Sequence, residues 1–277
     1  MIENHKTALV TGASSGIGEA TALRLAKLGF TVYGAGRRVD RLERLTPSGV
    51  RAIAMDVTDE DAMRSGVQHI IDETGRIDVL VNNAGYGSYG AVEDVPIDEA
   101  RRQFEVNVFG AARLTQLVLP HMREARSGTI VNVSSMGGKI YTPFGGWYHA
   151  TKFALEALSD CLRLETRQFG INVVVIEPGG IRTEWGSIAG RALQEVSGGG
   201  AYGGQAQRIA RMLASEGRGM QGSDPSVIAN AIARAVTAER PRTRYALGLG
   251  AKPLIALRRV LPDRAYDALI TRATGVR

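Results

Sequence analysis

Short apolar runs alternate with longer segments of helical periodicity along most of this chain. The runs predict seven strands, at residues 6–10, 30–34, 50–55, 77–81, 128–133, 171–176 and 244–249. Apolar positions three or four residues apart predict about six helices between them, at residues 19–28, 39–45, 62–74, 97–123, 148–169 and 226–238. This alternation predicts an α/β protein built on a single doubly wound parallel sheet, with helices on both faces.

The stretch 184–224 departs from this alternation because it is rich in glycine, with a run at 198–200 and a pair at 203–204. Such a segment is either a mobile lid over a neighbouring site or a plain flexible insertion. Its place beside the motifs described below favours the lid. Nothing else resembles a linker or an internal repeat, so we expect one domain over residues 1–277, with a flexible substrate lid at about 184–224.

The composition narrows the possible functions. With 277 residues, of which 44% are apolar, the chain is long enough for one large α/β core. The net charge is +6, but the basic residues are spread until the C-terminal third, so nucleic-acid binding is not expected. The arginine-rich tail after residue 252 is expected to pack on the core or on a partner subunit, and membrane-surface contact is not expected.

Cysteine and histidine usage predicts neither a disulfide nor a metal site. Cys161 is the single cysteine, and the four histidines are scattered. The N-terminus lacks the apolar core of a signal peptide, and no apolar run approaches the ~20 residues that cross a bilayer. We expect a cytoplasmic protein.

The first predicted strand leads directly into a glycine-rich turn, residues 11–18, and then into a helix. Strand, glycine-rich turn and helix present free backbone N–H groups to a phosphate, and the glycines allow a pyrophosphate to approach closely. The spacing is Gly-x-x-x-Gly-x-Gly rather than the more usual Gly-x-Gly-x-x-Gly. A plain loop is the alternative, but the position after the first strand favours a dinucleotide site in a Rossmann-type fold.

The residues after the second strand bear on which dinucleotide binds. A carboxylate there would bond the adenosine ribose and select NAD. Here Gly36 is followed by Arg37 and Arg38, which suit the 2′-phosphate of NADP, although the pair could simply begin a solvated basic helix. Asp56 ends the third strand, where it can accept from an adenine amino group, cap the next helix, or both.

A second group of polar residues carries candidate chemistry. Tyr148 and Lys152 lie four residues apart, on one face of a predicted helix, and Ser135 precedes Tyr148 by thirteen residues. A nearby ammonium lowers the pKa of a phenol, which can then exchange a proton with a carbonyl or alcohol oxygen. Taken alone, the spacing is equally typical of an ordinary amphipathic helix. Asn107 is an unusual residue within a helical segment, since a buried amide needs partners.

Four motifs together resemble one family. They are residues 11–18, Asn82-Asn-Ala-Gly85, Ser135 with Tyr148-x-x-x-Lys152, and Pro178-Gly179. In order and spacing they resemble the classical short-chain dehydrogenases/reductases, over about residues 5–185. Within that family the chain is most similar to the 17β-hydroxysteroid-dehydrogenase-like group, on the strings at 33–38 and 148–153 and the long tail.

The resemblance implies residue roles. Tyr148 would be the acid/base, with its pKa lowered by Lys152, which would also hold the nicotinamide ribose. Ser135 would orient the substrate oxygen, and Asn107 would kink its helix and bind a water that relays protons to Lys152. The implied cofactor-binding residues are Gly12, Ser14, Ser15, Gly16, Ile17, Gly18, Arg37, Arg38, Asp56, Val57, Asn83, Ala84, Gly85, Tyr148, Lys152, Pro178, Gly179, Ile181 and Thr183.

The implied function is an oxidoreductase that prefers NADP(H) to NAD(H) and transfers hydride between the nicotinamide and a carbonyl or secondary alcohol. An aromatic set near the site suits a lipophilic ketone such as a steroid or acyl chain; its members are Tyr86, Tyr89, Tyr141, Phe144, Trp147 and Trp185. Alternatives are an NAD-linked alcohol dehydrogenase, a dinucleotide-sensing regulatory protein on the same fold, and an epimerase or dehydratase, whose chains are usually longer. The family implies a homodimer or homotetramer through helices 97–123 and 148–169.

Overall fold

The computed structural model describes residues 6–218 and 222–276. In that part of the chain seven parallel strands form one sheet in the order β3-β2-β1-β4-β5-β6-β7. The strands are β1 Thr7–Thr11, β2 Thr31–Gly36, β3 Val50–Ala54, β4 Val79–Asn82, β5 Gly128–Val133, β6 Ile171–Pro178 and β7 Arg244–Leu247. The predicted doubly wound parallel sheet is confirmed.

Helices cover both faces of the sheet. Their bounds are α1 Gly16–Ala26, α2 Val39–Glu43, α3 Glu60–Thr74, α4 Ile97–Phe104, α5 Ala111–Glu124, α6 Gly146–Thr166, α7 Trp185–Ser197, α8 Gly203–Arg218, α9 Ser226–Thr237, α10 Ala251–Val260 and α11 Asp263–Thr274. Leu25 of α1 and Ile232 of α9 lie in the core on one face, and Ile70 of α3 and Leu114 of α5 lie in the core on the other. Strands that are buried on both faces in this way appear in sequence as continuous apolar runs.

The strand order creates the crevice that holds the site. From β1 the chain moves outward to β2 and β3, then returns to place β4 on the other side of β1. At such a reversal the connections after neighbouring strands diverge and leave a crevice at the carboxyl ends. Thr11 ties the two strands together there, because its hydroxyl accepts from the backbone N–H groups of Asn83 and Ala84, at 3.0 Å each.

The predicted helical segment 97–123 is confirmed, with a change of helix type inside it. The structure divides it into α4, a π-helical stretch Glu105–Gly110, and α5. A π-helical turn inserts an extra residue into the helix, and the apolar pattern of the sequence does not reveal it. The predicted helix 62–74 begins earlier, at Glu60, since Asp59 caps it by accepting from the N–H groups of Asp61 and Ala62.

The glycine-rich stretch is more regular than its composition suggests. Helices α7 and α8 fill most of it and pack on each other, with Gly190 against the Ala210 carbonyl, where a side chain would clash. Leu193 and Ile209 join one apolar cluster with Tyr89. Residues 219–221 of the predicted lid lie outside the described residues, as do the predicted domain ends 1–5 and 277.

The tail packs on the core, in agreement with the preferred sequence expectation. Tyr266 is fully buried and clusters with Ile140 and Ile255. Its ring lies 5.0 Å from that of Tyr141, and its hydroxyl donates to the Tyr141 carbonyl at 3.3 Å. Among the helices of the described residues, none has both the length and the apolar character needed to cross a membrane.

Candidate active site

A cleft of about 700 Å³ opens at the carboxyl ends of the strands. The turns after β1, β2, β4, β5 and β6 all contribute to its walls. Every predicted site residue lines this cleft except Gly18 and Asn107. Predicted site residues from seven separate stretches of sequence therefore converge on one space.

The glycine-rich turn has the geometry that a close approach of phosphate requires. Gly12 and Gly16 adopt positive φ angles of 63° and 59°, which favour glycine. Gly18 has a different role from the one predicted. A side chain there would put its Cβ 2.2 Å from the Gly12 carbonyl oxygen and 2.5 Å from Nδ2 of Asn83. Gly18 is therefore needed for packing α1 against the turn after β1 and the residue that follows β4, and it does not line the cleft.

At the predicted adenosine end of the cleft, Arg38, which follows β2, contacts the glycine-rich turn. Its guanidinium donates to the hydroxyls of Ser14 at 3.2 Å and Ser15 at 2.7 Å. Arg37 extends instead toward Asp56, with 3.9 Å between the charged atoms. Asp56 accepts from the Thr58 N–H at 3.0 Å, so it closes the turn after β3, while Asp59 caps the helix. The structure thus brings Arg38, rather than Arg37, onto the serines of the turn.

The other end of the cleft holds the predicted catalytic group. Tyr148 and Lys152 lie in the first turns of α6, and Ser135 follows β5. Both α6 residues are buried, with 6% exposure each. The Lys152 ammonium donates to the Val133 carbonyl at 2.9 Å and lies 5.9 Å from the centre of the Tyr148 ring.

Burial, rather than the lysine, dominates the pKa of Tyr148. It raises the pKa to about 12, and a hydrogen bond with Ser135 opposes the rise. Burial likewise lowers the pKa of Lys152 to about 8, opposed by the charge of Glu156. The net shift of the Tyr148 pKa is therefore upward, opposite to the net lowering expected from the sequence, because desolvation favours the neutral form; the lowering effect of Lys152 itself stays a prediction. A neutral phenol is the form that can donate a proton.

Asn107 connects three elements behind this group. It lies in the π-helical stretch with 1% exposure, and its Oδ1 accepts from the Tyr86 N–H at 3.0 Å. Its Nδ2 donates to the Tyr86 carbonyl at 2.9 Å and to the Thr151 hydroxyl at 3.1 Å. The π-helical stretch distorts the hydrogen-bonding pattern of the helix at Asn107, and the predicted kink stays a prediction. The predicted water relay stays a prediction, and the geometry assigns Asn107 a positioning role.

Known proteins resemble this chain in sequence and in fold. Residues 6–191 match the family described as short chain dehydrogenase. A 3-ketodihydrosphingosine reductase of Bacteroides thetaiotaomicron is 38% identical over 241 residues, covering 87% of this chain and 87% of that protein. The chain belongs to the short-chain dehydrogenase family.

Solved members of the short-chain dehydrogenase family have the same architecture. A short-chain dehydrogenase from Streptomyces avermitilis matches with a TM-score of 0.81 and 37% identity, covering 100% of this chain and 98% of its own. A metagenomic short-chain oxidoreductase in complex with NADP matches with a TM-score of 0.69 and 27% identity, covering 87% of this chain and 96% of its own. The chain is an oxidoreductase that uses a nicotinamide dinucleotide; the finer 17β-hydroxysteroid-dehydrogenase-like assignment stays a prediction.

The cleft fits a dinucleotide on its own geometry. Gly12 and Gly16 leave room at the phosphate turn, where a Gly16 side chain would meet the Thr183 methyl at 3.0 Å. At the far end, a side chain on Gly85 would lie 3.6 Å from the Lys152 ammonium. The arginines at the predicted adenosine end and the buried Lys152 thus lie at opposite ends of the cleft, and glycines line it.

Aromatic side chains gather around Tyr148. Its ring lies 5.1 Å from that of Trp185 and 5.8 Å from that of Tyr89. Gly87 lies so close to Trp185 that a side chain would come within 2.5 Å of the indole. Of the other four predicted aromatic residues, Tyr86 lines the cleft. The other three do not: Phe144 packs beneath the α7–α8 pair, Tyr141 packs on the tail, and Trp147 is not among the cleft residues.

Sequence reasoning missed two residues of the site. His149 lines the cleft beside Tyr148, and its Nε2 accepts from the Thr142 N–H at 3.0 Å, which leaves Nδ1 to donate to the Gly137 carbonyl at 2.9 Å. Burial lowers the pKa of His149, so this neutral tautomer is favoured. Its position next to Tyr148 was a usable signal. Glu184, which accepts from Arg38 and Arg41, gave no sequence signal.

Proposed function

We propose that this protein is an NADP(H)-dependent oxidoreductase that interconverts a lipophilic ketone and its secondary alcohol. One observation carries the proposal: Ser135, Tyr148 and Lys152, from two separate elements, converge at one end of a cleft whose other end presents Arg38 on a glycine-rich turn. The dinucleotide supplies the hydride, and the chain supplies orientation and the proton.

Tyr148 and Ser135 hold the carbonyl oxygen of the substrate. As hydride reaches the carbonyl carbon, negative charge develops on that oxygen, and the two hydroxyls stabilise it. The Tyr148 proton then passes to the oxygen, which becomes the alcohol hydroxyl. The positive charge of Lys152 stabilises the phenolate that remains, since burial strengthens electrostatic interactions between the two groups. In the reverse direction the phenolate recovers the proton from the alcohol.

The adenosine end supports NADP over NAD. The guanidinium of Arg38 lies on the Ser14 and Ser15 hydroxyls, a set of donors that suits a 2′-phosphate. The end of β2 carries Gly36, where a carboxylate would be needed to bind ribose hydroxyls. Solved relatives include complexes with NADP and with NADH, so the choice rests on the residues of this chain.

A lipophilic substrate is supported by the walls around Tyr148. Tyr89, Trp185, Ile140, Ile188 and Leu213 all line the cleft. Apolar pockets with a few convergent polar groups recognise ligands largely by shape and burial. The Bacteroides relative is named a 3-ketodihydrosphingosine reductase, and the substrate in that name is a ketone.

We further propose that the α7–α8 pair is the substrate lid of a single domain, since Trp185 of α7 and Leu213 of α8 both line the cleft. The preferred assembly is a homodimer or homotetramer. Its support is the apolar surface of the helices proposed to pair, where Phe109, Phe153 and Leu164 are 54%, 45% and 69% exposed.

The reaction class is tested by following the absorbance of reduced nicotinamide against ketones that range from small diketones to long-chain ketones and steroids. We expect turnover of apolar ketones, with KM falling as the chain lengthens. Tight NADPH binding without turnover of any member would contradict the proposal.

The cofactor preference is tested with Arg38→Ala. We expect NADPH binding to weaken about 10- to 100-fold, because charge-assisted hydrogen bonds to the phosphate are lost, and NADH binding to change by less than about threefold. Arg44→Ala is the matched control, since it removes one exposed positive charge near the same helix but does not line the cleft. Equal weakening of both cofactors would contradict the NADP assignment.

A further inference from the structure

At the adenosine end of the cleft, the carboxylate of Glu184 already binds Arg38 and Arg41. Oε2 of Glu184 accepts from Arg38 at 3.1 Å, and Oε1 accepts from Arg41 at 3.1 Å. The hydrogen bond from Arg41, followed by that from Arg38, lowers the pKa of Glu184, so the residue is ionised at neutral pH. All three side chains are partly exposed, at 43%, 37% and 49% for Arg38, Arg41 and Glu184. Solvent therefore reaches these contacts, and a ligand can replace them.

Glu184 also stands at the start of the lid. It is the N-cap residue of α7, and the next residue is Trp185, whose ring packs on Tyr148. On the other side, the Thr183 methyl lies close to Gly16 of the phosphate turn. One short segment, residues 183–185, thus joins the adenosine end of the cleft to its catalytic end.

We propose that Glu184 determines cofactor specificity by competing with the 2′-phosphate of NADP for Arg38, and that this exchange links the cofactor to the position of Trp185. The inference rests on the proposed function, because it assumes that the phosphate lies at Arg38. A phosphate monoester and a carboxylate repel each other, so the phosphate gains Arg38 only as Glu184 gives it up. NAD, which has no 2′-phosphate, leaves the Glu184 contacts in place.

The competition is measured with cofactor fragments that lack nicotinamide. Isothermal titration of the full-length protein with 2′,5′-ADP and with 5′-AMP separates the phosphate contribution from the rest of the molecule. We expect Glu184→Gln to tighten 2′,5′-ADP about three- to tenfold, the size of one screened surface repulsion. Binding of 5′-AMP should change by less than about twofold.

Glu195→Gln is the matched control. Glu195 is an exposed carboxylate on the same helix α7, eleven residues further along and so roughly 16 Å away. It changes the net charge equally, and we expect no effect on either fragment. An unchanged or weakened 2′,5′-ADP affinity in Glu184→Gln, or an equal gain in Glu195→Gln, would overturn the competition.

The link to the lid is measured through Trp185. The chain has two tryptophans, so Trp147→Phe leaves Trp185 as the single indole reporter. In that background 2′,5′-ADP should shift the Trp185 emission whereas 5′-AMP should not, and Glu184→Gln should abolish the difference. Equal responses to both fragments, or no response, would overturn the link.

The two proposals fail in different ways. If Arg38→Ala leaves 2′,5′-ADP affinity unchanged, the phosphate does not lie at Arg38, and both the NADP assignment and the role of Glu184 are wrong. If Arg38→Ala weakens 2′,5′-ADP but Glu184→Gln leaves it unchanged, the NADP assignment stands and the competition by Glu184 is refuted.

Discussion

Asn107→Leu should destabilise the protein strongly although the substitution nearly conserves volume. It removes two hydrogen bonds to the Tyr86 backbone and one to the Thr151 hydroxyl. The Thr151 hydroxyl still donates to the Tyr148 carbonyl at 2.8 Å. Loss of the hydrogen bond between Asn107 and Thr151 therefore costs least. The Tyr86 carbonyl keeps a bond from the Gln103 amide at 3.4 Å, so the Tyr86 N–H is the backbone group left without its partner, at a cost of about 1–3 kcal/mol.

Thermal unfolding at a fixed protein concentration measures this cost. At about 2 °C per kcal/mol for a chain of this size, the expected fall in Tm is about 2–6 °C. Asn230→Leu is the matched control, because Asn230 is exposed on α9 and surface substitutions usually stay within about 0.5 kcal/mol. A fall in Tm no larger than that of the control would refute the positioning role of Asn107.

Asn107→Asp adds a pH test of the same contacts. The new carboxyl keeps an acceptor for the Tyr86 N–H but can donate to the Tyr86 carbonyl only when protonated. Its pKa is therefore raised in the folded state, so stability is greatest at low pH and is lost as pH rises through the folded value. The deficit relative to wild type should grow from roughly pH 5 to pH 8; a constant deficit would contradict the assigned hydrogen bonds.

Two further outcomes follow from the site. Gly18→Ala should lower the unfolding free energy by about 2–4 kcal/mol, because the new Cβ would meet the Gly12 carbonyl. The control is Gly204→Ala, where a Cβ meets nothing within 4 Å. Equal Tm values for the two variants would contradict the packing role of Gly18. The kcat/KM for ketone reduction should be level at lower pH and fall as pH rises past about 8, where Lys152 loses its proton; a profile level through roughly pH 10 would contradict that assignment.

The sheet and most of the cleft were predictable from sequence. Buried parallel strands produce continuous apolar runs, and their carboxyl ends meet at one edge. Motifs that follow those runs, such as Ser135 after β5 and Asn83 after β4, therefore had to converge. The i, i+4 spacing likewise placed Tyr148 and Lys152 on one helix face.

The errors have physical causes that a local pattern does not contain. Helical spacing shows proximity but not burial, so it gave the wrong direction for the pKa of Tyr148. Glycine content does not show packing either: Gly190 allows close contact between α7 and α8, and only the folded chain reveals this. Glu184 contacts Arg38 across 146 residues of sequence, and only the folded chain brings the two together.

The central claim is that Tyr148 supplies the proton in a dinucleotide-dependent carbonyl reduction. Wild type and Tyr148→Phe should be compared with NADPH and the best ketone of the panel, with NADPH binding measured separately. The account predicts that kcat falls by a factor of about a hundred or more in the variant, while NADPH still binds. Turnover retained by the variant would remove Tyr148 from its role and contradict the mechanism.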